Sequence, residues 1–358
     1  MAEQARQGSY IARFVAALRT ALAVDPTRVH WIDCVKGITI LLVVFHHAQD
    51  GVDATIGLSE TFNYYYKILS PVRMPLFFLV AGLFAARAIN GPLRSFLDGK
   101  ILHFAYFYLL WSAIIFAFRY GLSGLANNKM RAEELLMILW DPLPTIWFLY
   151  ALLLAFAAMR LLRGVAPAYV VGFAAVVQAH YFASGPTGIV IVDKFSYVFV
   201  YFAIGVYASE WIRAQAAKTT VLRWLAACAV FGLAAAYFRS NDLIHSPLGY
   251  FTLSAASAAA IIGTAWLGTR AGLLKPIVIV GNHSFEIYLT HFASVAATRI
   301  VLMKLGVTEP VVIFAAAILS AVVFALVLGA ATRGTFASFL FERPRFLRLR
   351  GQPVAGAD

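Results

Sequence analysis

Long apolar blocks recur along almost the whole chain, and no other feature constrains its fold as much. A helix that crosses a bilayer needs roughly 20 mostly apolar residues, because in lipid every backbone polar group must be paired within the segment. The blocks fall at 31–50, 62–88, 101–120, 144–160, 165–183, 194–212, 222–239, 248–268, 283–303 and 311–332. The expected fold is therefore all-α, a polytopic membrane helical bundle of about ten transmembrane helices. The second block is long enough to tilt or break, and Pro71 and Pro75 offer break points. Composition agrees: 61% of the 358 residues are hydrophobic and only 13% are charged, where a soluble domain carries roughly a quarter. The polar segments are short, so chemistry must happen within the bundle or at its edge.

Ten spans put both termini on one side. With the N-terminus inside, the inner segments hold 19 Lys and Arg and the outer segments seven, among them Lys129, Arg131 and Lys194. That asymmetry predicts cytoplasmic termini. The net charge of +12 is spread over many short loops, which reads as topology and not as a nucleic-acid surface. Cys34 and Cys228 lie in different apolar blocks and give neither a disulfide framework nor a metal spacing. Before the first block, Ile11, Phe14, Val15, Leu18 and Leu22 fall at helical spacing among Arg6, Arg13 and Arg19. This predicts a basic amphipathic helix on the cytoplasmic surface, with no signal peptide. Residues 1–30 thus form an amphipathic segment, 31–332 the transmembrane domain and 333–358 a basic tail.

The first block, "WIDCVKGITILLVVFHHAQD", carries more chemistry than a lipid-facing helix needs. Lys36 and His47 are eleven residues apart, almost three full turns, so both project from one face roughly 16 Å apart along the axis. Asp33 joins that face one turn before Lys36 and Asp50 one turn after His47, whereas His46 is expected to point elsewhere. One such residue alone reads as an interfacial ion pair or a buried cap. Four on one stripe point to a functional cavity, in which a neutral imidazole serves as a general base. Arg73, inside the second block, needs an anionic or carbonyl partner, either in the protein or on a substrate. Ser284, Tyr288 and His291 share one helix face, as an interhelical seam or as substrate contacts. Trp140 and Trp147 suit either an interfacial belt or a platform for sugars.

"DCVKGITILLVVFHHA" resembles the first-helix motif of the acyltransferase-3 family, in which Arg or Lys precedes His with ten residues between; Lys36, Gly37 and His47 match it. "RMPLFFLVAGLFAA" is similar to the family's "MPLFFxxSG" segment, with Phe77, Phe78 and Gly82 in register and Ala81 in place of the serine. "IWFLYALL" resembles its mid-chain "WFLxxLL", "GNHSFEIYLTH" its "GxxSxxIYLxH", and "FERP" the exit from its last helix. The motifs run in family order over almost the whole chain.

The resemblance implies an integral membrane O-acyltransferase of the carbohydrate O-acetylase type. It would use acyl-CoA, commonly acetyl-CoA, as co-substrate with no resident cofactor or metal, and a carbohydrate or glycolipid hydroxyl as acceptor. His47 would be the base, oriented by Asp50. Lys36, paired with Asp33, would meet the donor with the loop cations Arg87, Arg94 and Lys100. Arg73, Trp147, Ser284, Tyr288 and His291 would contact the acceptor. The sequence leaves the oligomeric state open. A transporter or flippase for an amphiphilic glycan carrier is the other class that ten spans and a buried histidine suit, although no two-half repeat is visible.

Overall fold

A computed structural model describes residues 2–121 and 133–349, with backbone alone for 2–10, 61 and 63. The side chain of Arg6, residues Lys129 and Arg131, and the tail beyond Leu349 lie outside the described residues. Among those described, the chain is helical throughout with no strand. The helices are α1 (Ala2–Ala21), α2 (His30–Ile56), α3 (Glu60–Gly82), α4 (Ala85–Asn90), α5 (Leu93–Phe96), α6 (His103–Gly121), α7 (Glu134–Met137) and α8 (Trp147–Leu161). They continue with α9 (Pro167–Ser184), α10 (Val190–Tyr207), α11 (Ser209–Ala217), α12 (Val221–Ser240), α13 (Pro247–Arg270), α14 (Lys275–Asn282), α15 (Ser284–Lys304) and α16 (Pro310–Thr332).

Every one of the ten apolar blocks carries a helix. Among the described residues, six helical stretches are long and apolar enough to cross a membrane: His30–Ile56, Leu93–Gly121, Val190–Tyr207, Val221–Ser240, Pro247–Arg270 and Pro310–Thr332. Their outward faces are apolar, with Leu222, Leu233 and Leu319 well exposed. Water penalises such a surface and lipid does not. This is a multi-pass membrane protein.

The chain divides into two compact units. One comprises Met1–Glu60 with Gly268–Pro344, the other Thr61–Leu267 with the segment from Arg345. In the first, α2 packs against α14, α15 and α16, and α1 packs against α16. The α2–α14 crossing is made of backbone. A methyl group at Gly37 would run into the Ile277 carbonyl oxygen, and one at Gly281 into the Asp33 carbonyl oxygen. Only glycine lets two helices come this close. Arg299 on α15 donates to the Gly51 carbonyl and, at 2.8 Å, to Thr55 Oγ1, fastening the far end of α2.

In the second unit, α10 packs against α8 and α9. A second glycine crossing, Gly82 with Gly205, brings α3 onto α10, and a methyl on either would strike the other helix's backbone. Of the two outcomes left open for this block, α3 shows no break at Pro71 or Pro75 and runs through both. Pro75 has no N–H for the carbonyl of Pro71, one turn earlier. Ser254 Oγ on α13 donates to that oxygen instead, at 2.7 Å, so the helix continues. The break comes after Gly82. There Arg213 Nη2 donates to the Leu83 carbonyl at 3.1 Å, and its guanidinium stacks over Phe84. Between α5 and α6 the chain takes a π-helical turn, Leu97–Leu102, where Asp98 Oδ1 accepts the Leu349 N–H at 2.8 Å.

Candidate active site

The site residues of the first unit are set by α2, which the glycine crossing holds at one end and Arg299 at the other. At the first end Asp33 is almost fully buried. Arg28 grips its carboxylate with two bonds, Nε to Oδ2 and Nη2 to Oδ1, each 3.0 Å, and Lys36 Nζ adds a third to Oδ1 at 3.1 Å. The predicted Asp33–Lys36 pair forms, and a fork from Arg28 joins it. Paired Arg–carboxylate bonds are among the strongest in proteins. The Lys36 side chain keeps 25% of its surface exposed. Gly37, next to it, serves the helix crossing.

At the other end of α2 the imidazoles of His46 and His47 lie 4.9 Å apart, centroid to centroid. His47 is also 5.0 Å from His291 on α15. One ligand atom each from His46, His47 and Asp50 lie within 4.8 Å of one another. His46, expected on another face, therefore belongs to the cluster. Asp50, assigned to His47 by spacing, also has its Oδ2 3.4 Å from His46 Nε2. The i,i+4 step brings that pair together as readily as the i,i+3 step would bring the other. These three are also the residues whose donor atoms could share one metal ion.

His291 is fully buried. Its Nδ1 bonds the Tyr288 carbonyl at 2.7 Å. A carbonyl only accepts, so Nδ1 carries the proton and Nε2 keeps its lone pair. Nε2 is buried with no hydrogen-bond partner among the described residues. Ser284 and Tyr288 are buried on the same helix. His283, just before α15, holds the Ala21 carbonyl at 3.0 Å and lies 3.5 Å from Glu286.

The remaining predicted residues belong to the second unit. Arg87 and Arg94 are exposed; Lys100 is partly covered, its ammonium 5.1 Å from the centre of the Phe156 ring. Arg160 donates to the carbonyls of Ile89 and Gly91, fixing the start of this basic segment. Arg73 is buried with its guanidinium over Tyr66 at 5.5 Å. Trp147 is buried, unlike Trp140, and carries the Lys194 ammonium 5.3 Å from its ring centre. Burial of this kind removes Trp147 from an interfacial belt.

Sequence reasoning missed Arg28 and Arg299 because both were counted only as topology signals. For Arg28 the sign was a charge in the short polar stretch before a motif-bearing helix, and for Arg299 a charge inside an apolar block.

No curated protein and no solved structure gives a match. The model of one protein family, described as an acyltransferase domain, matches residues 29–330, from just before α2 to the end of α16. That stretch contains the Lys36–His47 helix, the glycine crossings and the His291 helix alike, and the chain belongs to the acyltransferase-3 family.

Proposed function

We propose that the protein is an inner-membrane O-acyltransferase that moves an acyl group, acetyl foremost, from cytoplasmic acyl-CoA to a hydroxyl of a surface or exported carbohydrate. The observation that carries this reading is His47, at the family spacing from Lys36 and flanked by the imidazoles of His46 and His291. A sugar hydroxyl is a poor nucleophile until a base takes its proton, whereas a thioester is already activated. His47 accepts that proton as the hydroxyl oxygen attacks the thioester carbonyl. The C–S bond breaks, the thiolate leaves, and the imidazolium returns its proton to sulfur. The acyl group ends on oxygen, and no oxidant or reductant is involved.

His291 is assigned as a positioning residue, since its Nε2 lone pair is an acceptor that could orient the neighbouring imidazole. Asp50 is proposed to orient His47, with His46 beside both. Lys36, steadied by Asp33, is proposed to meet the donor, and the exposed Arg87 and Arg94 with Lys100 to meet nucleotide phosphates. Both termini are placed in the cytoplasm. The test is direct: full-length protein in detergent or nanodiscs, given acetyl-CoA, should release free thiol faster when carbohydrate acceptor is added. Neither thiol release nor label exchange with acetyl-CoA would sink the reading.

A further inference from the structure

Arg73 and Lys194 are two cations of the second unit with no ion pair among the described residues. Arg73 is 8% exposed. It cannot easily shed its proton, so its charge persists wherever it sits. A buried, persistent charge needs a counter-charge or strong donor–acceptor contacts. Among the described residues Arg73 meets the face of Tyr66, at 5.5 Å. Lys194 stands over two further rings, Trp147 at 5.3 Å and Tyr197 at 5.9 Å. The two cations share one neighbourhood: the Tyr250 hydroxyl donates to the Ser70 carbonyl, just before Arg73, at 3.1 Å, and its ring lies 6.0 Å from that of Tyr197.

Asp193 is the acid next to Lys194 in the chain. Its Oδ1 is already committed to Thr187, accepting from both N and Oγ1 at 2.8 Å. Aromatic faces offset part of the cations' lost hydration, yet they leave the donors of the guanidinium fork and the ammonium unused. Tyr66, Lys194 and Tyr197 are all part-exposed, so the cluster has an accessible side. Planar donors beside aromatic walls suit an oxyanion carried on a ring whose apolar face can stack.

We propose that Arg73 and Lys194 form a binding site for the carboxylate of an acidic sugar, whose ring lies against the part-exposed side of Tyr66 and Tyr197. The site lies wholly within the second unit and needs no thioester chemistry, so it stands or falls independently of acyl transfer.

Calorimetric titration of the full-length protein in nanodiscs tests it. Trigalacturonate should bind, and maltotriose, a neutral trisaccharide, should bind roughly 30-fold more weakly or not at all, the scale expected when a buried charged contact is lost. R73Q and K194Q should each lose the preference for the acidic sugar, while R73K retains part of it. Lys194 is part-exposed, so K194Q decides the matter should R73Q fail to fold. Equal binding of the neutral and acidic sugars would overturn the proposal, as would undiminished trigalacturonate binding in K194Q. Inorganic phosphate binding as tightly as trigalacturonate would show a bare oxyanion site. Displacement of trigalacturonate by phosphatidylglycerol but not by phosphate would show a lipid headgroup site. Either result would overturn the sugar assignment.

Discussion

The imidazole of His291 lies 5.0 Å from that of His47, although the two belong to opposite ends of the sequence. With Nδ1 of His291 committed to the Tyr288 carbonyl, only Nε2 is left to influence its neighbour. If His47 is the base, His47→Ala should lose about 100-fold or more in turnover while donor affinity stays nearly constant. His291→Gln should cost less and move the pH profile of kcat, which a merely structural residue would not do. Matching losses in His46→Ala and His47→Ala would leave the cluster as structure.

The closeness of His46, His47 and Asp50 raises a rival chemistry that is easily checked. A base must keep its lone pair, so a chelator such as EDTA should leave acyl transfer unchanged. Loss of activity on chelation, restored by a divalent ion, would turn these residues into ligands and end the role of His47 as base.

At the other end of α2, Asp33 and Lys36 are separable. Asp33→Asn leaves Arg28 and Lys36 without their carboxylate and should destabilise the protein by about 1–3 kcal/mol, given how exposed the two cations are. Lys36→Ala keeps the Arg28 fork and should fold normally with weakened acetyl-CoA binding. An unchanged acetyl-CoA affinity in the folded variant would make Lys36 a structural ion-pair member only.

Gly37→Ala or Gly281→Ala should each destabilise by about 1–3 kcal/mol or more, since the new methyl meets backbone that cannot swing aside. Gly232, on α12 with open space around it, is the control. Alanine there should be neutral or stabilising by about 0.4–1 kcal/mol. Thermal unfolding in detergent that gave the same shift at all three positions would contradict the backbone crossing.

Orientation rests on the 19-to-7 division of basic residues. Single cysteines near 188 and 243, in a background lacking Cys34 and Cys228, should react with an impermeant thiol reagent on intact cells. Labelling only after permeabilisation would reverse the orientation.

Much of the fold was legible because apolar block length is a one-dimensional property. Each block became a helix, and the family motifs kept their order. What stayed hidden depended on partners distant in sequence. Pro71 and Pro75 looked like breaks because nothing local shows that a serine 183 residues beyond Pro71 accepts the consequence of the missing N–H. The actual break after Gly82 is finished by Arg213, again remote. Within the candidate site, helical spacing grouped Asp33, Lys36, His47 and Asp50 correctly along one helix. It could not show that His46 reaches within 3.4 Å of the same Asp50 carboxylate, because side-chain reach is not fixed by spacing. Arg28 escaped because it lies in the turn before α2, where periodicity says nothing about reach.

The bond from Ser254 to the Pro71 carbonyl makes two remote positions a single unit of sequence change. While proline occupies position 75, a hydroxyl at 254 fills a vacancy in α3 that no residue of α3 can fill. A lineage that replaced Pro75 with an ordinary residue would restore the local N–H and release position 254 to drift. One that lost Ser254 first would carry an orphaned carbonyl until Pro75 changed as well. Substitutions at the two sites should therefore arrive in a preferred order, proline first and serine after.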